Sequence, residues 1–276
     1  MEIAALFDRS IVELNRYRQT RLAWSMSLPL AVFLGIASLA AEEATIGDAA
    51  IRVVLAWMLV LQFRLGNDLS HVQRDRREHP DRVLPRAESL CPFQIALGSV
   101  VLANGLLIGL LRSPERLLTF VALSGVTLAA GVVRDRQRLP ITFRYHLLLI
   151  KYPLFATLIA TGPMLDPPQA KLFSMALVYF CFCVYEGLHD ERLRADPLAS
   201  ATFHVDYIAL AAVAAGIAWH LHPRSIAAVP IQAVSVGGGG VVLATLFVFR
   251  QRLVAPGPWC YAVFAPCFFW LLSCQL

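Results

Sequence analysis

Charged side chains are scarce in this chain. They make up 16% of its 276 residues, whereas about 25% is typical of a soluble domain. Hydrophobic residues account for 58%, and they come in runs that the charges separate. Such runs are typical of helices that cross a lipid bilayer. The composition therefore argues against an ordinary soluble domain, and we predict an all-α, multi-pass transmembrane bundle.

Lysine is almost missing as well. Lys151 and Lys171 are the only two, so arginine carries nearly all of the positive charge. In a soluble protein a net charge of +5 would suggest a nucleic-acid partner. Membrane topology explains the arginines better here, and we expect no nucleic-acid partner. The six cysteines lack the Cys/His spacing of a metal site, and we interpret them as small buried hydrophobes.

The apolar runs predict about nine spans in a single domain covering residues 1–276. Their approximate bounds are 22–41, 49–66, 89–111, 115–133, 144–164, 168–188, 201–221, 225–249 and 258–276. Residues 1–21 repeat apolar side chains near helical spacing. They are either an amphipathic helix lying in the membrane interface or a charged leader.

The loops between these spans differ in their content of arginine and lysine. The N-terminus and every second loop after it carry 18 of these residues, and the opposite loops carry five. Since positive loops stay in the cytoplasm, we predict a cytoplasmic N-terminus. Glu42, Glu43 and Asp48 then fall on the opposite side, where we interpret them as a solvated loop. Asp206, at the start of the seventh span, could line the mouth of a cavity or cap a helix, and we favour the cap.

Two acidic clusters follow the second and sixth predicted spans. In the first, Asn67, His71 and Asp75 are spaced four residues apart, which places them on one helix face. In the second, Glu186 and Asp190 have the same spacing. Carboxylates one helical turn apart can share Mg²⁺, which prefers oxygen ligands and binds substrate phosphates. A solvated loop with local ion pairs would explain the spacing equally well.

These clusters resemble the signatures of the UbiA superfamily of intramembrane prenyltransferases. Asn67, Asp68 and Asp75 match the first aspartate-rich signature, and the segment 79–86 matches the proline-containing stretch that follows it. Glu186 and Asp190 stand where the second signature belongs. The chain departs from the family at His71, where an aspartate is usual, and at Glu186, which replaces an aspartate.

The resemblance implies Mg²⁺-dependent transfer of a prenyl group from an allylic isoprenoid diphosphate to an unidentified acceptor within the bilayer. The active site would face the cytoplasm. The implied metal ligands are Asn67, Asp68, Asp75, Glu186 and Asp190. Asn67, Asp68, His71, Arg82 and Tyr145 would bind the substrate, and Lys151, Arg64 and Arg144 would act in catalysis. The alternatives are a terpene cyclase on the same fold and a non-catalytic lipid-binding membrane protein.

Lys151 is the most unusual isolated charge. It lies in the mostly apolar stretch 145–160, and a charge at that depth usually faces a cavity or a partner. Arg144 precedes it by two helical turns, on the same face of a continuous helix. We favour contact with a diphosphate over a side chain that extends to the membrane interface.

Overall fold

The computed structural model describes residues 2–40, 42–134, 140–162, 164, 169–190, 193, 195–220 and 267. These residues are largely helical and include no strand, as predicted. The helices are α1 (Glu2–Arg21), α2 (Trp24–Ser38), α3 (Ile46–Ser70), α4 (Val72–Glu78), α5 (Val83–Arg86), α6 (Cys91–Leu111), α7 (Pro114–Arg134), α8 (Ile141–Leu149), α9 (Lys151–Ile159), α10 (Gln169–His189) and α11 (Pro197–His220).

Four helices are long and apolar enough to cross a membrane: α3, α6, α10 and α11. They coincide with the predicted second, third, sixth and seventh spans, so the chain is a helical membrane protein. The helices α2 and α7 fall on the first and fourth. The eighth and ninth predicted spans, 225–249 and 258–276, lie outside the described residues except for Cys267. Nine spans therefore stay a prediction.

The helix α6 shows the side-chain distribution of a lipid-facing element. Leu102, Leu106 and Leu110, one turn apart, are 64%, 55% and 80% exposed. On its other face Asn104 is buried and donates to the Gln62 side chain at 2.8 Å. Large apolar patches are rare on soluble surfaces, whereas polar side chains often join helices inside a membrane. This helix is therefore arranged for lipid contact.

The predicted fifth span, 144–164, is not one continuous helix. Its chain forms α8 and α9, which are separated by a turn at Ile150. Pro153 lacks the N–H that would bond to the Leu149 carbonyl, and its ring clashes with that carbonyl in a regular helix. We expected Arg144 and Lys151 to lie on one face of a continuous helix. They lie instead on two short helices, α8 and α9.

The chain forms two compact units, residues 1–32 with 53–138 and residues 33–52 with 139–276. In the first unit a core joins α1 to α3, α4, α5 and α6 through Tyr17, Leu22, Leu65, Val72, Leu84, Ala87 and Phe93. The helix predicted for residues 1–21 is thus present, and its inner face packs on protein. Its position at a membrane interface stays a prediction, as does the single domain.

In the second unit Arg52 is completely buried and organises an ion-pair network. Its guanidinium donates to Asp48 at 2.6 Å, to Glu42 at 2.8 Å and to Thr161 at 2.9 Å. Glu42 also pairs with the buried ammonium of Lys171. The interpretation of Glu42 and Asp48 as a solvated loop was therefore wrong, because Asp48 lies in α3 and both acids pair with a fully buried arginine.

The hydrogen bonds of Glu42 determine its ionisation. Burial by itself raises the pKa of this carboxyl, but donation from Lys171, Thr161 and Gly162 outweighs it and lowers the pKa to about 2. Ionisation of Glu42 therefore contributes to the stability of the fold at neutral pH.

We expect Glu42→Gln to lower the thermal unfolding temperature of the detergent-solubilised protein, because it leaves Arg52 and Lys171 without their shared carboxylate. Because the folded pKa is depressed, the stabilisation is present above the ordinary pKa near 4.5 and is lost as the pH falls toward 2. Glu43→Gln is the matched control, since Glu43 is exposed. Equal unfolding temperatures for the two variants would contradict this role of the network.

Candidate functional site

Asp68 lies in the last turn of α3 and is the centre of a hydrogen-bonded cluster in the first unit. Arg21 donates to it in a bidentate manner, from Nε to Oδ2 at 2.9 Å and from Nη2 to Oδ1 at 3.0 Å. The Tyr17 hydroxyl donates to Oδ2 at 3.0 Å, and Arg64 lies 3.6 Å away. Two cations and a phenol therefore surround a carboxylate that is 5% exposed.

The helix α1 supplies two of the partners of Asp68. Tyr17 and Arg21 are four residues apart and lie on one helix face. Burial, reinforced by the charge of Asp68, raises the pKa of the Tyr17 hydroxyl above its ordinary value. Tyr17 therefore keeps its proton and remains a hydrogen-bond donor to the carboxylate.

Asp75 is the second buried carboxylate of the first unit. The chain turns at His71 and then continues as α4, with the Asp75 amide donating to the His71 carbonyl at 2.8 Å. Arg82 donates to Asp75 Oδ2 at 2.8 Å. The other oxygen, Oδ1, is buried and has no hydrogen-bond partner within the described parts of the chain. Asp75 thus offers one oxygen atom to a cation or a polar ligand.

The remaining residues of the first predicted cluster lie nearby in sequence but differ in exposure. His71 is buried, Asn67 is half-buried and Arg64 is exposed. The predicted helix that would carry Asn67, His71 and Asp75 on one face is interrupted at His71. The helical hydrogen bond from Asp75 to His71 nevertheless keeps these two residues one turn apart.

The other predicted residues belong to the second unit. Asp190 donates its amide to the Glu186 carbonyl at 2.8 Å, so the two acids are one turn apart at the end of α10, as predicted. Lys151 begins α9 and lies 5.1 Å from the centre of the Tyr152 ring. Arg144 has a buried Nε atom that lacks a hydrogen-bond partner in the described ranges. A site that joins these residues to the Asp68 cluster stays a prediction.

The second unit contains a polar cluster that the sequence analysis did not predict: Tyr145, His146, Tyr179, Cys183 and Asp206. The Tyr145 hydroxyl donates to Asp206 Oδ2 at 2.7 Å. His146 Nδ1 lies 2.8 Å from the Tyr179 hydroxyl and 3.6 Å from Cys183 Sγ. Tyr145, predicted to bind substrate, thus contacts a buried acid. We refer to these five residues as the His146 cluster.

Asp206 does not cap a helix, because it lies well inside α11 and is 3% exposed. Cys183 is likewise more than a buried hydrophobe, since it contacts an imidazole. The cluster comes from α8, α10 and α11, so no short motif marks it. The sequence did carry one signal. His146 and Asp206 are ionisable residues within two apolar runs, and such residues are uncommon within membranes.

Comparisons with protein-family models, with curated proteins and with solved structures found no match to this chain. Its function is therefore inferred from its own residues.

We expect Arg21→Met to destabilise the first unit by about 2 kcal/mol, because it removes the bidentate partner of a buried carboxylate. The measurement is unfolding in mixed detergent micelles, followed by circular dichroism. Arg16→Met is the matched control, because Arg16 is exposed on the same helix. The double variant Arg21→Met/Asp68→Leu should recover part of the loss, since it removes the unpaired charge. Strictly additive effects would contradict the coupling of these two residues.

Proposed function

We propose that the chain is an intramembrane enzyme of the UbiA kind, which cleaves an allylic isoprenoid diphosphate and transfers its prenyl group to an acceptor in the bilayer. Nine spans and a cytoplasmic site belong to this proposal. The observation that carries it is the free oxygen of Asp75. A buried carboxylate close to arginines, just beyond the end of an apolar helix, suits a phosphorylated headgroup whose tail lies among apolar helices.

The residues of the first cluster fit Mg²⁺ in part. The side chains of Asn67, Asp68 and Asp75 offer oxygen atoms, which this ion prefers. Asp75 has a buried oxygen available, whereas both oxygens of Asp68 accept hydrogen bonds from Arg21. Asp75 would therefore hold the ion most directly, joined by Asn67 and, after exchange with Arg21, by Asp68. When bound, Mg²⁺ would supply positive charge to the diphosphate oxygens.

The arginines around these acids suit binding of a diphosphate. Guanidinium groups pair with phosphate oxygens through two parallel hydrogen bonds. Arg64 is exposed beside Asp68, and Arg82 pairs with Asp75. In the second unit the buried Nε of Arg144 has no hydrogen-bond partner among the described residues. An anion accepting this N–H would remove the cost of leaving it unpaired.

The reaction breaks the bond between C1 of the prenyl chain and the diphosphate oxygen, and the electron pair leaves with diphosphate. The acceptor then supplies the electron pair of the new bond to C1 and loses a proton, which the departed diphosphate can take up. Arg64 and Arg82 would stabilise the negative charge that develops on the leaving group, which favours the transition state over the ground state. The resemblance alone gives Arg144 and Lys151 the same role. An apolar surrounding would keep water away from the allylic cation.

A terpene cyclase shares the first step and differs in its acceptor, which is an alkene of the same chain. Incubation with a prenyl diphosphate alone distinguishes them, since a cyclase releases a hydrocarbon or alcohol. The non-catalytic alternative has one observation in its favour: Asp68 is already saturated by Arg21 and Tyr17. Absence of diphosphate release with C10 to C20 substrates and any tested aromatic acceptor would favour it.

We expect Asp75→Asn to reduce diphosphate release by at least about a hundredfold, because it removes the charge that would hold the metal while keeping an acceptor for Arg82. The assay uses geranyl, farnesyl and geranylgeranyl diphosphates with Mg²⁺ or with excess chelator. Asp81→Asn is the matched control, since Asp81 is exposed in the same segment.

Full activity of Asp75→Asn, or of the natural chain in chelator, would reject the assignment of this site. Equal losses in Asp75→Asn and Asp81→Asn would show a general effect of charge on the segment. A comparison of unfolding temperatures separates loss of chemistry from loss of fold.

A further inference from the structure

The His146 cluster contains three different metal-binding groups from three helices. His146 lies in α8, Cys183 in α10 and Asp206 in α11, and one ligand atom from each lies within 4.8 Å of the others. His146 Nδ1 is 3.6 Å from Cys183 Sγ, and Nε2 is 3.7 Å from Asp206 Oδ2. We propose that these three residues bind a divalent transition metal of the Zn²⁺ class.

The donor set suits a tetrahedral centre. Zn²⁺ binds thiolate sulfur at about 2.3 Å and nitrogen or oxygen at about 2.0–2.2 Å, which places neighbouring ligands about 3.3–3.8 Å apart. The two short contacts involve different nitrogens of His146, so metal binding requires side-chain rotation that brings one ring nitrogen, the sulfur and the carboxylate oxygen from within 4.8 Å into this range. Three protein ligands leave the fourth position open, as in catalytic zinc sites. Nitrogen and sulfur donors favour this class of metal over Mg²⁺.

The charge balance around Asp206 supports a cation. Each of the other buried acids in the described chain pairs with a guanidinium: Asp68 with Arg21 and Asp75 with Arg82. Asp206 is 3% exposed and, within the described residues, pairs with no arginine or lysine. Its partners are the Tyr145 hydroxyl and His146. A buried carboxylate without a counter-charge is costly, and a bound dication would supply that charge.

Two tyrosines are placed to orient the ligands. The Tyr145 hydroxyl holds Asp206 Oδ2 at 2.7 Å, and the Tyr179 hydroxyl lies 2.8 Å from His146 Nδ1. If Nδ1–H donates to Tyr179, the other ring nitrogen, Nε2, is free to bind metal beside Asp206. Such outer partners fix the tautomer and orientation of metal-binding histidines. This site uses none of the proposed Mg²⁺ ligands and does not depend on prenyl transfer.

Titration of the purified full chain with Co²⁺ alone tests the site, because a tetrahedral Co²⁺–thiolate centre absorbs in the near ultraviolet and the visible. Exposed Cys91 is replaced by serine in every protein. We expect one Co²⁺ per chain, displaced by Zn²⁺, with a thiolate charge-transfer band. Cys183→Ser should abolish that band and weaken binding by more than about tenfold. Cys181→Ser is the matched control, since Cys181 is also fully buried on α10, and it should keep the band.

A second variant keeps the proposal testable if Cys183→Ser fails to fold. Asp206→Asn keeps an acceptor for Tyr145, and it should retain the thiolate band while binding Co²⁺ more weakly. Zn²⁺ should raise the unfolding temperature of the parent protein more than that of either variant. The proposal is overturned if the parent retains no stoichiometric Co²⁺ or Zn²⁺, or if Cys183→Ser keeps the same band and affinity. Asp75→Asn should leave Co²⁺ binding unchanged, so failure of this site is distinguishable from failure of the proposed prenyl transfer.

Discussion

The cost of burying a charge without a partner dominates this structure. Helices that are apolar enough to cross a membrane offer little water to a charged side chain, so a carboxylate or guanidinium among them requires a partner. Arg52 shows the result most clearly. It is fully buried, and its hydrogen bonds reach Asp48 on its own helix, Glu42 in the preceding loop and Thr161 beyond α9. One side chain thereby joins three segments whose relative alignment apolar packing alone would not determine.

The same requirement gives each unit its long-range connections. In the first unit Asp68 ties the end of α3 to α1, 47 residues earlier in the chain. In the second, Glu42 connects to Lys171 across 129 residues. Helices that pack through similar leucines and alanines have many nearly equivalent alignments, whereas a bidentate ion pair has one geometry. These pairs therefore select the helix alignment, and their net contribution to stability is smaller than their Coulomb energy suggests.

The helices were more predictable from the sequence than the contacts between charged side chains. Long apolar runs indicated α3, α6, α10 and α11, because hydrophobic length is a property of a single segment. The break before Lys151 could have been inferred from Pro153, which acts on its own helix. Spacing also placed Glu186 one turn from Asp190. It could not show that Asp68 has Arg21 as a partner, since nothing local in the sequence relates the two.

The candidate sites show the same difference between features that are local in the sequence and contacts that only the fold creates. Asp68, His71 and Asp75 could be proposed as site residues because they are close together in the sequence. Two acids in one polar stretch form a recognisable pattern. The His146 cluster was missed because Cys183 and Asp206 are 37 and 60 residues from His146 and lie in other helices. A cysteine in an apolar run gives no sign of an imidazole beside it. Such a cluster becomes visible only when the packing of three helices is known.

The three buried carboxylates differ in how completely they are neutralised, and this difference orders their capacity to bind a cation. Asp68 has a bidentate arginine, a second arginine nearby and a phenol donor. Asp75 has one arginine on one oxygen. Asp206 has a phenol and an imidazole. The number of arginine partners therefore falls from two at Asp68 to one at Asp75, and none pairs with Asp206 among the described residues. In the two proposals, oxygen ligands would suit Mg²⁺ at Asp75, whereas sulfur and nitrogen would suit a softer metal at Asp206.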